Sequence, residues 1–262
     1  MRGTLIAALV CAGLGMDATP GVSQPTSSSE AADERAEALI DQWIATVGGM
    51  EAYWGLQSAT YTLTTQMYDA SSGRLRRTRP RYVAIARLET GEAARIERWE
   101  GDDFIAQGFD GQDVIWATMN GEPLAPGDKD FDEALYVGRD VFYWVSLPYK
   151  LKDPGVFLHY DGKDEAGRDL VRVAFGEDVG EHDDTWFYTF EEGRSIPVTI
   201  AYREEGRENV NLTRWEDIQE FDGYFIPGRR VHVNDMGQIT KVLVTTDFVK
   251  NPTLEANRFR TP

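Results

Sequence analysis

The sequence predicts a mainly β (α+β) protein built on one large, curved antiparallel sheet, and three observations carry that reading. Between Ala93 and Leu124, short apolar runs alternate with glycine turns: Ile96 to Trp99, Glu100-Gly101-Asp102, Phe104 to Phe109, Asp110-Gly111, Val114-Ile115-Trp116, then Asn120-Gly121. Asp-Gly and Asn-Gly between apolar runs are the strongest short-range hairpin signal. The pattern then recurs almost to the C-terminus, and consecutive hairpins build a meander that must curl, close or be covered. Finally, a helical period of 3.6 surfaces in only two segments, so helices are accessories to the sheet.

The elements follow in order. Thr19 to Ser29 is rich in Ser, Thr and Pro and reads as a flexible leader. A helix is expected over Ala31 to Val47, with Leu39, Ile40, Trp43 and Val47 on one face. Asp33, Glu34 and Glu37 load its first turns, and Gly48-Gly49 stop it. Strands are expected near Ser58–Tyr68, Arg81–Leu88, Ala93–Trp99, Asp103–Phe109 and Asp113–Thr118. More are expected near Phe157–Tyr160, Asp169–Phe175, Thr185–Phe190, Val198–Tyr202, Asn209–Gln219, Phe225–Val233 and Ile239–Val249. Between the two groups, Asp128 to Val145 suits a second helix, with Asp128 as N-cap and Phe131, Leu135, Phe142 and Val145 on one face. Gly138 weakens it near the middle, and Leu147-Pro148-Tyr149 and Asp153-Pro154-Gly155 end it. A helix in that position would serve as a lid over the open face of the sheet. No linker divides the chain after residue 31, so residues 31–262 read as one domain behind a leader at 24–30.

Residues 1–23 read as a signal peptide. Arg2 supplies the positive n-region, Leu5 to Leu14 are too short to span a bilayer, and small residues at Gly21 and Ser23 suit cleavage after Ser23, with Ala18 the other candidate. Cys11, the only cysteine, lies inside the apolar stretch behind Val10, a poor setting for lipidation, so the mature chain is expected to lack thiol chemistry. The net charge of −17 is unchanged by the cleavage, because Arg2 and Asp17 leave together. That charge argues against nucleic acid and against docking on anionic headgroups, and fits an exported, soluble monomer. No later segment is long and apolar enough to be a transmembrane helix.

Chemical motifs are sparse. Glu177, Asp178, Glu181, His182, Asp183 and Asp184 could offer oxygen and imidazole ligands, but their spacing fits a solvated hairpin turn, and no metal or other cofactor is expected. His159 and His232 lie on expected strands without an HExxH-like partner. Ser146 and Ser195 lack a Gly-x-Ser-x-Gly setting, so no catalytic residue and no enzyme is expected. Arg74, Arg76, Arg77, Arg79 and Arg81 form a basic run in an acidic chain. It reads as the guard of a sheet edge, or else as a contact for an acidic partner or lipid phosphate, or as a latch from an arginine to lid carbonyls. Strands such as Val114 to Ala117 and Trp186 to Tyr188 are apolar on both faces, as expected of a sheet that packs on a helix and encloses something elsewhere. Trp99, Phe104, Phe109, Trp116, Phe142, Trp144 and Trp186 are therefore the candidate cavity-lining residues, with a filled core as the competing reading. A lid should be held less firmly than a sheet, so Phe142→Asp is expected to cost less stability than the same change at Val114.

Several of these segments carry a resemblance. Arg95 to Asp102 followed by Phe109-Asp110-Gly111-Gln112-Asp113-Val114-Ile115-Trp116 resembles the strand and "DGk-xxW" hairpin of the outer-membrane lipoprotein-sorting and carrier family. Trp215-Glu216-Asp217-Ile218 and Phe221 to Arg229 are similar to its "W-x-D-y … dGi-x-lP-x-r" strand pair. Asn251-Pro252-Thr253-Leu254 and Phe259 resemble its ending, and Leu147 to Leu151 with Asp153-Pro154-Gly155 resembles an uncharacterised branch. The resemblance implies an unclosed β-barrel wrapped around a few helices. It further implies a periplasmic binding protein that shields a lipid or the acyl chain of an acylated protein between sheet and lid. The alternative is an envelope partner-binding or sensing domain on the same fold without lipid cargo.

Overall fold

The computed structural model describes residues 28–112, 114–176, 179, 184–203 and 210–260. The expected signal peptide, and the acidic turn apart from Asp184, lie outside them. Helices α1 (Ser28–Thr46) and α2 (Gly49–Trp54) come first. Strands β1 (Ser58–Tyr68), β2 (Leu75–Leu88), β3 (Gly91–Glu100), β4 (Asp103–Phe109), β5 (Ile115–Met119) and the two-residue β6 (Glu122–Pro123) follow. Helices α3 (Lys129–Asp132) and α4 (Ala134–Ser146) then interrupt the meander, with a 3₁₀ turn at Tyr149–Lys152. It resumes with β7 (Val156–Lys163), β8 (Asp169–Phe175), β9 (Thr185–Phe190), β10 (Thr199–Arg203), β11 (Val210–Phe221), β12 (Tyr224–Val233) and β13 (Ile239–Lys250).

All thirteen strands among the described residues form one antiparallel sheet, in the order β6-β5-β4-β3-β2-β1-β13-β12-β11-β10-β9-β8-β7. The sheet is not closed: β6 and β7 are its edges, and the β1–β13 pairing joins its two halves at the middle. The hairpin signals reflect real backbone demands. Asn120-Gly121 and Asp222-Gly223 each place two successive residues at positive φ, at 54° and 88° and at 49° and 74°. That is the type I′ requirement these dipeptides meet with least strain.

Three details differ from the sequence-based expectation. Strand β2 starts at Leu75, so the arginine run belongs to a central strand rather than a sheet edge. Its exposed residues 75–80 pair with β1 but overhang the end of β3. The expected lid helix is broken at Glu133 into α3 and α4. Gly138 stays helical because nothing larger fits there: a Cβ would lie 2.6 Å from the Phe109 ring, so the glycine lets α4 approach β4.

Pairing register fixes which side chains share a face, because the side-chain period is two. Tyr61, Leu63, Val83, Ile85, Ala94, Ile96 and Phe109 are buried together on the concave face with α1 and α4. On the convex face, the C-terminal segment folds back so that Phe259 packs on Ala84, Ala86 and Ala93. The Trp116 indole donates to the Phe259 carbonyl at 2.7 Å.

Candidate functional site beneath helix α4

The aromatic residues singled out in the sequence divide by this parity. Phe109, Phe142, Trp144 and Trp186 lie in the concave core. Trp99, Phe104 and Trp116 lie on the convex face: Trp99 pairs with Phe104 and Trp116 with Gly108, each out of phase with the concave residues Arg98 and Phe109. Trp99 is 65% exposed, and its ring lies 5.1 Å from that of its hairpin neighbour Phe104 in a tilted arrangement. These three cannot line a concave cavity. The sequence shows that aromatics are abundant here, and only strand register shows which way they face. The expected stability order at Phe142 and Val114 is also reversed, since Phe142 is 2% exposed and Val114, in the turn before β5, is 56% exposed.

Helix α4 lies across β3, β4 and β5 with Ala134, Gly138, Val141, Phe142, Val145 and Ser146 buried. Trp144 contacts Trp186 at 5.3 Å, reaching the other half of the sheet. Two tyrosines from the sheet hold the helix by its carbonyls. Tyr61 donates to the Val141 carbonyl at 3.0 Å, and Tyr224 donates to the Val145 carbonyl at 2.7 Å. Val145 is in the last turn, where a carbonyl lacks an intrahelical partner, so Tyr224 replaces a bond that water would otherwise supply. The latch to the lid backbone therefore exists, but tyrosines form it. Asp130 of α3 adds an ion pair with Arg98, whose guanidinium also donates to Gln107. A small space lined by Tyr61, Trp144, Val145, Ile226, Pro227, Arg230 and Thr245 has a volume of about 10 Å³, enough for about one water.

The floor under Trp144 is where the apolar pattern fails. Register places Arg81 of β2, Arg230 and His232 of β12, and Lys241 of β13 on the concave face. Arg230 is 4% exposed, and its guanidinium lies over the Trp144 ring, 4.5 Å from the centroid. Its Nη1 and the Nε of Arg81 are buried without a hydrogen-bond partner. Burial pushes the Arg230 guanidinium down to about 10, opposed by Asp140 and Tyr61 and reinforced by Arg81. Burial likewise lowers Lys241, with Arg230 adding repulsion. Asp140 is the carboxylate that faces this group, and its Oδ1 already accepts from the Trp144 indole at 2.9 Å. His232 accepts or donates at Nδ1 with Thr213 at 3.1 Å, while its Nε2 is unpartnered. Burial first, then Lys241 and Arg230, push it down to about 2, so it is neutral. The sequence reading did not find this cluster. Arg230, His232 and Lys241 are polar letters on two different β-strands, and only pairing assembles them.

Comparison with solved structures gives the fold its class. The chain shares the architecture of a Vibrio parahaemolyticus domain assigned to outer membrane lipoprotein sorting, with a TM-score of 0.51 at 11% identity over 86% of this chain and 97% of that one. It is similarly close to a DUF1329 family protein from Desulfovibrio piger, with a TM-score of 0.53 at 9% identity over 86% and 97% of the two chains. No family model matches the sequence, and no curated protein matches it. At these identities the likeness is one of fold: an unclosed antiparallel barrel of the lipoprotein-sorting type.

Proposed function

We propose that this protein is an envelope binding protein, not an enzyme, that shields a hydrophobic ligand between the concave sheet and helix α4. The ligand class is a lipid or the acyl chain of a lipoprotein. The observation that carries this reading is the placement of Phe142 and Trp144 on a helix laid across the apolar concave face, against Phe109 and Trp186. Moving a methylene out of water contributes about 0.8 kcal/mol, so one long acyl chain offers on the order of 10 kcal/mol toward displacing those side chains. The kinship in fold with a lipoprotein-sorting domain supports the same class. The same reading takes the protein to be exported, with a mature chain beginning near Gln24 that works as a monomer; the basic and apolar start of the sequence supports the export.

The small volume of the space beside Trp144 and Val145 supports a second reading, a partner-binding or sensing domain that keeps α4 closed and carries no lipid. Native mass spectrometry of protein purified from its own envelope separates the two. A co-purified amphiphile is expected under the first reading. A bare mass that also fails to shift on adding fatty acid or phospholipid refutes it in favour of the second.

A further inference from the structure

Arg230 beneath Trp144, with Arg81 and Lys241 on the same concave face, has one carboxylate acting on it from above, Asp140 of α4. Arg81, Arg230 and Lys241 have no ion pair among the described residues, and Asp140 spends one oxygen on the Trp144 indole. A buried guanidinium without a carboxylate loses its hydration and gains little in return. The cation–π contact with Trp144 offsets part of that cost and leaves the Nη1 donor unused. The same face shows how a structural arginine looks in this fold. Arg98, one strand away from Arg81, is fully engaged by Gln107, Asp130 and Glu100. Partners are thus supplied where an arginine only holds the fold together.

We propose that Arg230, with Arg81 and Lys241, is the receptor for the anionic head, phosphate or carboxylate, of an amphiphile whose apolar part lies under α4. This deepens the binding-protein reading and rests on it. Guanidinium groups suit both anions, because their planar donor forks match the oxygens of phosphate and carboxylate. The position favours a tethered anion over a free one. Arg230 is 4% exposed with the Trp144 ring over it, so an anion reaches it only when that ring moves, and an apolar tail provides the energy for that step. The small space bounded by Arg230, Thr245 and Tyr61 marks where the head would enter.

The test titrates the full protein with dihexanoyl phosphatidylglycerol, with dihexanoylglycerol as the uncharged analogue of equal tail length, and with inorganic phosphate. The expected result is at least tenfold tighter binding of the phosphatidylglycerol at low salt, with inorganic phosphate failing to compete. In Arg230→Met that preference falls to near unity, and the melting temperature of the ligand-free protein is unchanged or higher, because a buried unpaired charge has gone. A purely structural arginine would instead lower it. Should Arg230→Met not fold, Lys241→Gln carries the same test with a smaller loss of preference. Equal binding of both lipids by the wild-type protein overturns the headgroup site and leaves the binding-protein reading standing. Phosphate alone binding as tightly as the phospholipid overturns the choice of a lipid head. Failure of both lipids to bind overturns the binding-protein reading itself.

Discussion

Helices α1 and α4 cover two halves of one concave face, and the ground beneath them differs. Under α1 it is mostly aromatic, with Tyr188, Phe190 and Trp215 against Trp43. Ala36, Leu39, Ile40, Trp43, Ile44 and Val47 recur at i, i+3, i+4, i+7, i+8 and i+11 and are all buried. Trp43 lies 5.5 Å from Tyr188 and 5.2 Å from Trp215. The polar side of α1 is fastened at the rim, by Arg35 to Asp169 at 2.7 Å and by Lys152 to Asp41 at 2.6 Å. Under α4 the apolar stripe formed by Val141, Phe142 and Val145 is interrupted by Arg230 beneath Trp144, and two tyrosine hydroxyls donate to helix carbonyls. The difference is between a helix packed on aromatic rings and one that also covers a guanidinium lacking a partner at Nη1.

The largest expected break in that comparison is at the tryptophans. Trp43→Ala should cost about 3–5 kcal/mol, as for a large core side chain whose cavity cannot collapse. Trp144→Ala should cost less, about 1–2 kcal/mol, because opening that site lets water reach the buried Arg230 and offsets part of the lost packing. Urea denaturation of the two variants checks this, and equal midpoints would mean that α4 is as much a part of the core as α1.

Removing a latch comes next. Tyr224→Phe leaves the Val145 carbonyl without its donor, at a cost of about 1–3 kcal/mol. Its signature is local: amide hydrogen exchange should accelerate along α4 while α1 keeps its protection. Acceleration in both helices would show that they open as one unit.

A pH dependence also singles out the α4 ground. His232 is held neutral in the fold, down to about 2, whereas the unfolded imidazole titrates near its ordinary value of about 6.5. Its folded pKa lies below the unfolded one, so the unfolded state takes up the proton first. The stability it supports is therefore present above about pH 6.5 and is lost as pH falls below that value. The slope from one such group is at most about 1.4 kcal/mol per pH unit. His232→Asn should flatten the stability curve between pH 6.5 and 4, and an unchanged curve would mean that His232 protonates freely in the fold.

These differences were only partly legible in the sequence. The Asn120-Gly121 and Asp222-Gly223 turns, the α1 stripe and the interruption by α4 could be read because each is a local demand, on φ or on helical period. The cation cluster could not, because Arg81 of β2, Arg230 of β12 and Lys241 of β13 share a face, with β1 between β2 and β13, through registers that no local signal states. The same blindness to parity put Trp99 and Trp116 among the cavity candidates. Residue type says that a strand is aromatic, whereas its neighbours' register says which side the ring takes.

The smallest expected effect tests that parity directly. Trp99 is exposed on the convex hairpin, so Trp99→Phe should change stability by less than about 0.5 kcal/mol. Trp144 is on the helix that must move when a ligand enters, with Arg230 against its ring and Asp140 at its indole nitrogen. Amphiphile binding should therefore change the fluorescence of the wild-type protein and of Trp99→Phe alike, since neither the site nor its reporter is altered. In Trp144→Phe most of the change should disappear, while calorimetry still detects the ligand. If the signal survives in Trp144→Phe and vanishes in Trp99→Phe, the amphiphile binds on the convex hairpin. The closed contact between α4 and the sheet is then its resting and working state, because a ligand held outside gives the helix no reason to lift.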